Sequence, residues 1–306
     1  MSTLPPHSFG SFHPSGYKSN IPPQKKARIL TFVSQKGGTG KTTIAQNLAV
    51  CFAQNHAKRV LGVDLDPQGC FSEGLQLESI YTKKTSDSLL LVPQANAIEY
   101  VIPVRPNFDL IPNNFQKEIR DAVERMSLTP DLLRRRLSSL ISKYDYIFLD
   151  TPAGLTRSTQ FALDAADEII IVLSCSKYAL KGASAILDWI DSNDSVYKPK
   201  PEIKVILNNY DERRRFDRQF KKDVEYIFGS DLYETHIHNS VKVVEAASNG
   251  VSIVEVSESH VCATDFRSLS REILSSHSNH GLSVNNSNSI PSTNIQTTSI
   301  ALELAT

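Results

Sequence analysis

The sequence is poor in cysteine and has no long apolar run. Its four cysteines lie far apart along 306 residues, and none forms a Cys-x-x-Cys pair or has histidines at zinc-site spacing. This spacing argues against a disulfide framework or a zinc site and predicts reduced thiols in the core. The apolar run from Ile169 to Leu173 is far too short to span a bilayer, and the N-terminus lacks the apolar core of a secretory signal. We therefore expect a cytoplasmic protein without membrane contact.

The sequence also lacks an excess of either charge. Lys and Arg together number 33, as do Asp and Glu, so the formal net charge is zero. A neutral chain can still bind nucleic acid, because a basic patch on one face can be balanced by acidic residues elsewhere. The question of nucleic-acid binding therefore depends on the local distribution of charge and not on the net charge. The hydrophobic content of 40% is sufficient for the core of one large α/β domain or two small ones.

Both ends of the chain lack apolar periodicity. Residues 1–27 combine several prolines with Ser, His and Gly, whereas residues 276–306 are rich in Ser, Asn and Thr and carry Glu303 as their sole charged side chain. Segments of this composition cannot build a core. We predict a disordered N-terminal arm at 1–27, a single domain at 28–275 and a disordered low-complexity tail at 276–306.

A glycine loop between a strand and a helix carries the clearest chemical signal. The mostly apolar run Ile29–Val33 predicts a buried strand, and a helix is predicted to begin near Lys41. Between them lies the sequence Lys36-Gly37-Gly38-Thr39-Gly40-Lys41-Thr42. Glycines let backbone N–H groups converge on an anion, and the positive end of the helix dipole points into the same space. The loop therefore predicts a phosphate cradle; the alternative is a glycine-rich turn that binds nothing.

The loop departs from the standard P-loop in a specific way. Where the standard motif has glycine six residues before the lysine, this chain has Gln35, and an additional lysine, Lys36, stands at the head of the loop. The stretch thereby resembles the ParA/MinD family of deviant Walker A ATPases, most closely Soj-type ParA proteins without an N-terminal helix-turn-helix domain. The resemblance covers roughly residues 27–275. It implies a doubly wound, mostly parallel α/β sheet flanked by helices.

Three carboxylates stand at the ends of predicted strands. The strand Arg59–Asp64 leads into Asp64-Leu65-Asp66-Pro67-Gln68, which is similar to the family's DxDPQ motif, and the strand Tyr146–Asp150 has Walker B character. The carboxyl ends of parallel strands form the edge at which open α/β sheets bind ligands. An ordinary Asp-Pro turn is the alternative for the first motif.

The resemblance implies that these residues bind ATP and Mg²⁺. Lys41 would hold the β- and γ-phosphates, Thr42 would ligate Mg²⁺, and Thr43 would support the α-phosphate. Asp64 and Asp150 would hold the water shell of the metal ion.

Further roles follow from the same resemblance. Asp66 would orient the attacking water, and Lys36 would reach across a dimer to the phosphates of the partner subunit. Asn208, which follows a predicted strand, is the candidate for contact with adenine. The rest of the predicted cofactor site is Gly37, Gly38, Thr39 and Gly40.

The chain also departs from the family downstream of the loop. Ala153 replaces the second proline of a DxPP motif and leaves Asp150 unchanged. Ser176 and Lys181 stand where relatives commonly have glutamates, so the contacts of those glutamates are not transferred to this chain.

Two weaker patterns precede the Walker B strand. Residues 71–113 predict a short helix and an edge hairpin. Thr129-Pro130 predicts the cap and first turn of a helix whose Leu133, Leu137 and Leu140 share one face.

A basic segment predicts the DNA-binding surface. A helix is expected over Arg213–Phe228, with Phe216, Phe220, Val224 and Ile227 on its packed side. The predicted DNA-binding residues are Arg214, Arg215, Arg218, Lys221 and Lys222 on its other side, together with Lys242, which stands at an arginine position of the family. An ordinary solvated helix is the alternative.

Two function classes remain open. The first is a DNA-partitioning ATPase of the ParA type, which forms a homodimer on ATP, binds nucleoid double-stranded DNA without sequence preference and is stimulated by a ParB-like centromere-binding protein. The second is a MinD-type ATPase that positions a protein cargo at a membrane or pole. The basic segment and the lack of a C-terminal basic amphipathic helix favour the first. A third class, small-molecule ligases that share the loop, lacks support because no substrate segment interrupts the pattern.

Overall fold

The fold is organised on one seven-stranded sheet. A computed structural model describes residues 26–75, 83–193 and 200–283. The strands are β1 Arg28–Val33, β2 Val60–Asp64, β3 Ile102–Arg105, β4 Phe108–Ile111, β5 Tyr146–Asp150, β6 Glu168–Ser174 and β7 Glu202–Asn208. Their order across the sheet is β3-β4-β2-β5-β1-β6-β7. Only the edge strand β3 runs antiparallel to its neighbour, which confirms the predicted edge hairpin.

Eleven α-helices are present in the described residues. They are α1 Lys41–Val50, α2 Cys70–Glu73, α3 Ser86–Leu91, α4 Lys117–Glu124, α5 Leu132–Arg136, α6 Arg157–Ala165, α7 Ala179–Ser192, α8 Arg215–Phe228, α9 Val241–Ser248, α10 Ile253–Val256 and α11 Val261–Ser283. None of these helices is both long and apolar enough to cross a membrane.

Helices cover both faces of the sheet because its central strands are apolar on both sides. In β6, Ile169 and Ile171 pack into a cluster with α7 and α8, whereas Ile170 and Val172 pack into a cluster with α1 and α11. Alternate residues of a strand point to opposite faces, so one apolar run serves two cores. The predicted doubly wound, mostly parallel sheet is confirmed.

The start of α5 differs from its prediction. Asp131 precedes the helix with a φ of 58°, in the left-handed region, and makes no side-chain cap. The hydroxyl of Thr129 donates instead to the carbonyl of Ser127, so the predicted Thr129-Pro130 cap is wrong. Burial of Leu133, Leu137 and Leu140 agrees with the predicted apolar face.

The predicted cysteine environment is only partly right. All four cysteines are free thiols, as predicted, and Cys51 and Cys262 are buried. Cys70 is exposed, because it begins the short helix α2 at the surface. Burial raises the pKa of Cys51 to about 12, so this thiol stays protonated and unreactive.

The domain extends beyond its predicted limits at both ends. Ala27 is buried and its N–H donates to the carbonyl of Ile141, so it belongs to the domain and not to the arm. The helix α11 continues past residue 275 to Ser283. Within this extension, the hydroxyls of Ser275 and Ser278 donate to the carbonyls of Arg271 and Leu274, one helical turn earlier. The rest of the predicted arm and tail, residues 1–25 and 284–306, lies outside the described residues.

A buried polar cluster ties α11 to the amino-terminal edge of the sheet. Glu168 is fully buried and accepts hydrogen bonds from Arg28 at 3.2 Å and from Tyr233 at 2.5 Å. His277 Nε2 lies 2.6 Å from the same carboxylate, and its Nδ1 lies 3.1 Å from Tyr146 Oη. Burial acts to raise the pKa of Glu168, but the hydrogen bonds and positive charge of its partners outweigh it, so the pKa lies below its usual value.

Replacing this carboxylate should destabilise the fold. Glu168→Leu leaves the buried Tyr233 hydroxyl and His277 Nε2 without their carboxylate partner, while Arg28 keeps its ion pair with Glu202 at 2.8 Å. We expect a loss of about 3 kcal/mol in the free energy of unfolding. Glu99→Gln, at an exposed ion pair with Lys84, is the control and should have a much smaller effect. Because the folded-state pKa of Glu168 is depressed, its stabilising effect is present above about pH 4 and is lost at lower pH. Denaturant unfolding at pH 7 and pH 3 measures both effects, and equal stability of Glu168→Leu and wild type at pH 7 would contradict them.

Candidate nucleotide-binding site

The glycine loop occupies the carboxyl edge of the sheet, between β1 and α1. Gly38 and Gly40 have φ values of 76° and 90°, a region that side chains rarely adopt. Gly40 also stands directly before the first turn of α1, and a Cβ at this position would lie 2.1 Å from Asn208 Nδ2. The backbone at Gly38 and Gly40 therefore favours glycine, and at Gly40 a side chain would also displace the Asn208 amide.

Asn208 contacts the loop itself. It ends β7, and its Nδ2 donates a hydrogen bond of 2.7 Å to the carbonyl of Thr39. This bond fixes the loop against the sheet, a role that sequence reasoning missed because the two residues are 169 positions apart. The predicted contact of Asn208 with adenine stays a prediction.

The predicted metal-binding residues meet at the first turn of α1. Thr42 Oγ1 donates to Asp150 Oδ2 at 2.7 Å, while Asp150 Oδ1 is buried without a hydrogen-bond partner. Asp64 and Asp150 are paired positions of the neighbouring strands β2 and β5. An orphaned carboxylate oxygen beside a threonine hydroxyl fits a hydrated Mg²⁺ ion.

Asp64 is held by the protein itself. Its carboxylate accepts hydrogen bonds from the N–H and hydroxyl of Ser72 at 2.9 and 2.7 Å, and from the N–H of Asp66 at 3.1 Å. Ser72 was not among the predicted site residues, since nothing in its local sequence marks it. Asp64 therefore supports the site through its hydrogen bonds, and Asp150 presents the free oxygen.

Burial dominates the electrostatics of this edge. It raises the pKa of Asp150 to about 7, against the opposing hydrogen bond from Thr42 and the charge of Lys41. It also raises the pKa of Asp64, with the nearby charge of Asp150 adding to the effect. Lys41 is buried as well, and desolvation lowers its pKa although Asp150 and Asp66 act in the other direction. Two adjacent buried carboxylates require positive charge nearby, which Lys41 and a bound divalent cation would supply.

A cation at this site would depend on phosphate oxygens. No group of three or more His, Cys, Asp or Glu side chains that could hold a metal ion occurs in the described part of the chain. Mg²⁺ typically keeps several waters and binds through one or two protein groups plus substrate phosphates. The donor set of Thr42 and Asp150 fits that pattern.

Asp66 and Lys36 lie at the open side of the site. Asp66 Oδ1 accepts a 2.9 Å hydrogen bond from the N–H of Gln68, which closes the Asp-Pro turn. Lys36 is exposed, and its Nζ lies 4.9 Å from the centre of the Tyr178 ring. Its ammonium group therefore points to a neighbouring loop of its own chain.

The structure brings together only part of the predicted DNA-binding surface. Arg215, Arg218 and Lys222 are exposed on α8. Arg214 precedes the helix, 3.6 Å from the carboxylate of Asp211. Lys221 was predicted on the solvent-facing side of the helix. In the structure, its side chain folds back to within 3.4 Å of His236 Nδ1.

One further expectation about this surface is wrong, and another stays a prediction. Phe216 is 45% exposed, because α8 begins only at Arg215 and its first turn extends beyond the core. Lys242 lies on α9, which packs in the cluster with α1 and α11, whereas α8 packs on the opposite face of the sheet. Lys242 is exposed, and its contact with DNA stays a prediction.

Comparisons with known proteins agree with this geometry. A family described as an AAA domain matches residues 27–203. The sporulation initiation inhibitor protein Soj of Bacillus subtilis is 33% identical over 234 residues, which cover 74% of this chain and 90% of Soj. The chromosome partitioning protein ParA of Caulobacter vibrioides is 31% identical over 255 residues, 81% of this chain and 94% of ParA.

A solved structure extends the comparison to the fold. The septum site-determining protein MinD of Pyrococcus horikoshii, complexed with Mg-ADP, aligns with a TM-score of 0.67 and 26% identity over 81% of this chain and 96% of MinD. The family match, the two relatives above 30% identity and this likeness agree with the lysine at the head of the glycine loop. The chain therefore belongs to the ParA/Soj/MinD family of P-loop ATPases.

Proposed function

We propose that this protein is a DNA-partitioning ATPase of the ParA type. It binds ATP and Mg²⁺, forms a homodimer on ATP, binds double-stranded DNA without sequence preference and leaves DNA after hydrolysis stimulated by a ParB-like partner. The observation that carries the proposal is the Thr42–Asp150 contact beside a glycine loop headed by Lys36. Soj and ParA, two relatives above 30% identity, point to the same class. The protein would act in the cytoplasm, associated with the nucleoid.

The chemistry is positioning and charge neutralisation, as phosphoryl transfer generally requires. The loop N–H groups and Lys41 bind the β- and γ-phosphates, and Thr43 supports the α-phosphate. Mg²⁺ would neutralise charge that develops on the phosphate oxygens, with Thr42 and Asp150 as its protein partners.

Two further residues act on the open side of the site. Asp66 orients the attacking water toward the γ-phosphate. Lys36 reaches the phosphates of the partner subunit in the ATP-bound dimer. Hydrolysis then removes the γ-phosphate that joins the two subunits, and the dimer separates.

A MinD-type positioning ATPase is the second candidate. The likeness to the Pyrococcus horikoshii MinD structure supports it. Arg213 and Arg214, which precede α8, also lie 2.8 and 3.6 Å from the carboxylate of Asp211, so fewer cationic groups of this segment are free to contact phosphates. DNA binding measured with ATP, with ADP and without nucleotide separates the candidates. ATP-dependent DNA binding supports the ParA type, and its absence supports the MinD type.

The DNA surface can be tested through its salt dependence. Replacing Arg215, Arg218 and Lys222 by alanine removes six charges per dimer. At about 0.9 per phosphate contact, the log–log slope of affinity against salt should flatten by up to about 5. The slope is measured by fluorescence anisotropy of a labelled duplex with ATP present.

A matched variant controls for net charge. Arg125, Arg135 and Lys143 are also exposed but lie on the half of the molecule that carries α4 and α5. Their replacement by alanine removes the same charge and should leave the slope near that of the wild type. If both triple variants flatten the slope equally, α8 is not the DNA surface.

A further inference from the structure

We propose that Tyr178 is a positioning residue that holds Lys36 on its own subunit and thereby opposes ATP-dependent dimerisation. The inference rests on the proposed function, in which Lys36 must reach the partner subunit. Lys36 leaves the ring when two ATP-bound subunits meet. Tyr178 thus restrains dimerisation and the turnover that follows from it.

The contact itself is a cation–π pair. Lys36 Nζ lies 4.9 Å from the centre of the Tyr178 ring, within the range of about 6 Å in which such attraction operates. The ring is 64% exposed, so hydrophobic burial does not account for its position. Its face is directed to a lysine that the family resemblance assigns to the partner's phosphates.

The surroundings of Lys36 offer no competing anion. Lys36 and Tyr178 line a cavity of about 280 Å³ between the glycine loop and α7, together with Ser176 and Lys181. None of the residues that line it is acidic, and Lys181 adds a second positive charge. In the described part of the chain, Lys36 forms no ion pair with a carboxylate. The Tyr178 ring is therefore the electron-rich group available to this ammonium.

Close contacts between the first turn of α7 and the start of the glycine loop fix Tyr178 relative to Lys36. Tyr178 stands directly before α7, and its carbonyl accepts a 3.1 Å hydrogen bond from the N–H of Gly182. A Cβ on Gly182 would lie 2.9 Å from the Cβ of Gln35, the residue before Lys36. The first turn of α7 thus contacts the start of the glycine loop, which fixes the ring relative to the lysine.

The expected effect is moderate and can be measured. An exposed cation–π contact shifts an equilibrium by about two- to five-fold. Two contacts are broken for each dimer formed, so Tyr178→Ala should tighten the ATP-dependent dimer by roughly 5- to 30-fold. The ATPase rate without partner protein should rise at protein concentrations below the wild-type dissociation constant. Analytical ultracentrifugation with ATP and excess Mg²⁺ measures the dissociation constant.

Two matched variants accompany this measurement. Tyr178→Phe keeps the ring and removes the hydroxyl, so it should retain the wild-type dissociation constant. Tyr226 on α8 is 75% exposed, and Tyr226→Ala controls for the loss of an exposed tyrosine elsewhere. A tighter dimer in Tyr178→Ala alone supports the inference. An unchanged or weaker dimer in Tyr178→Ala overturns it.

A second readout separates the inference from the proposed function. In the ADP-bound monomer with ¹³C-labelled lysine, the Tyr178 ring should shift the Lys36 Cε–Hε signal upfield, and Tyr178→Ala should remove the shift. Absence of that shift in the wild type overturns the inference, regardless of the dissociation constants measured for the dimer. Normal dimerisation of Lys36→Ala overturns the cross-subunit role of Lys36, and the inferred restraint with it. The wild type would still show the ring-current shift in that case.

Discussion

Lys41→Ala is expected to abolish ATP binding at micromolar concentrations. Lys41 is buried at the start of α1, and in the proposed mechanism it is the full positive charge that the loop brings to the terminal phosphates. Removing one partner of a buried charge pair costs about 3–5 kcal/mol, which corresponds to a loss in affinity on the order of 10²- to 10⁴-fold. Isothermal titration with a non-hydrolysable ATP analogue and Mg²⁺ measures this loss.

The controls separate binding from folding. Lys143→Ala removes an exposed lysine and should bind the analogue with wild-type affinity. The thermal unfolding of Lys41→Ala must also be recorded, because Asp150 would lose its nearest opposing charge. Lys36→Ala should retain nucleotide binding by the monomer and lose ATP-dependent dimerisation. An affinity of Lys41→Ala within tenfold of the wild type would place the phosphates elsewhere.

Asp66→Ala is expected to bind ATP with unchanged affinity and to lose ATP hydrolysis. Orientation of the attacking water stabilises the transition state more than the bound substrate, so the change falls on kcat and not on affinity. The loss should be roughly 10²- to 10⁴-fold, the range typical of a positioned proton acceptor. Single-turnover hydrolysis and equilibrium ATP binding measure the two quantities separately. The ATP-bound dimer of this variant should persist.

Asp66→Asn is the matched variant for this experiment. An asparagine oxygen can still accept the 2.9 Å hydrogen bond from the N–H of Gln68, so the turn is retained while the charge is removed. Equal loss of hydrolysis in both variants assigns the effect to the carboxylate charge. Wild-type turnover in Asp66→Ala, or a parallel loss of ATP affinity in that variant, would assign water orientation to another residue such as Asp150.

The sequence by itself determined the features that are contiguous along the chain. A strand, a glycine loop and a helix start follow one another between Arg28 and Val50, so their local pattern predicts the cradle. Asp64 and Asp150 each end an apolar run, and carboxyl ends of parallel strands share one edge. That rule is enough to predict that the two carboxylates approach the loop.

The tertiary structure alone decided the contacts between distant segments. Asn208 reaches Thr39 only because the strand order brings the end of β7 near the glycine loop. The Lys36–Tyr178 pair likewise depends on β6 lying beside β1. Sequence periodicity carries no information about which strands become neighbours.

The surface of α8 and the end of α11 also show what sequence patterns alone could not predict. Lys221 folds back onto His236, although its spacing places it on the charged side of α8, and Phe216 is 45% exposed, although its spacing places it on the packed side. Composition alone predicts that the serine-rich stretch after residue 275 has no core. His277 nevertheless anchors it to Glu168, because one buried hydrogen bond to a carboxylate far away in the sequence outweighs a weak local preference.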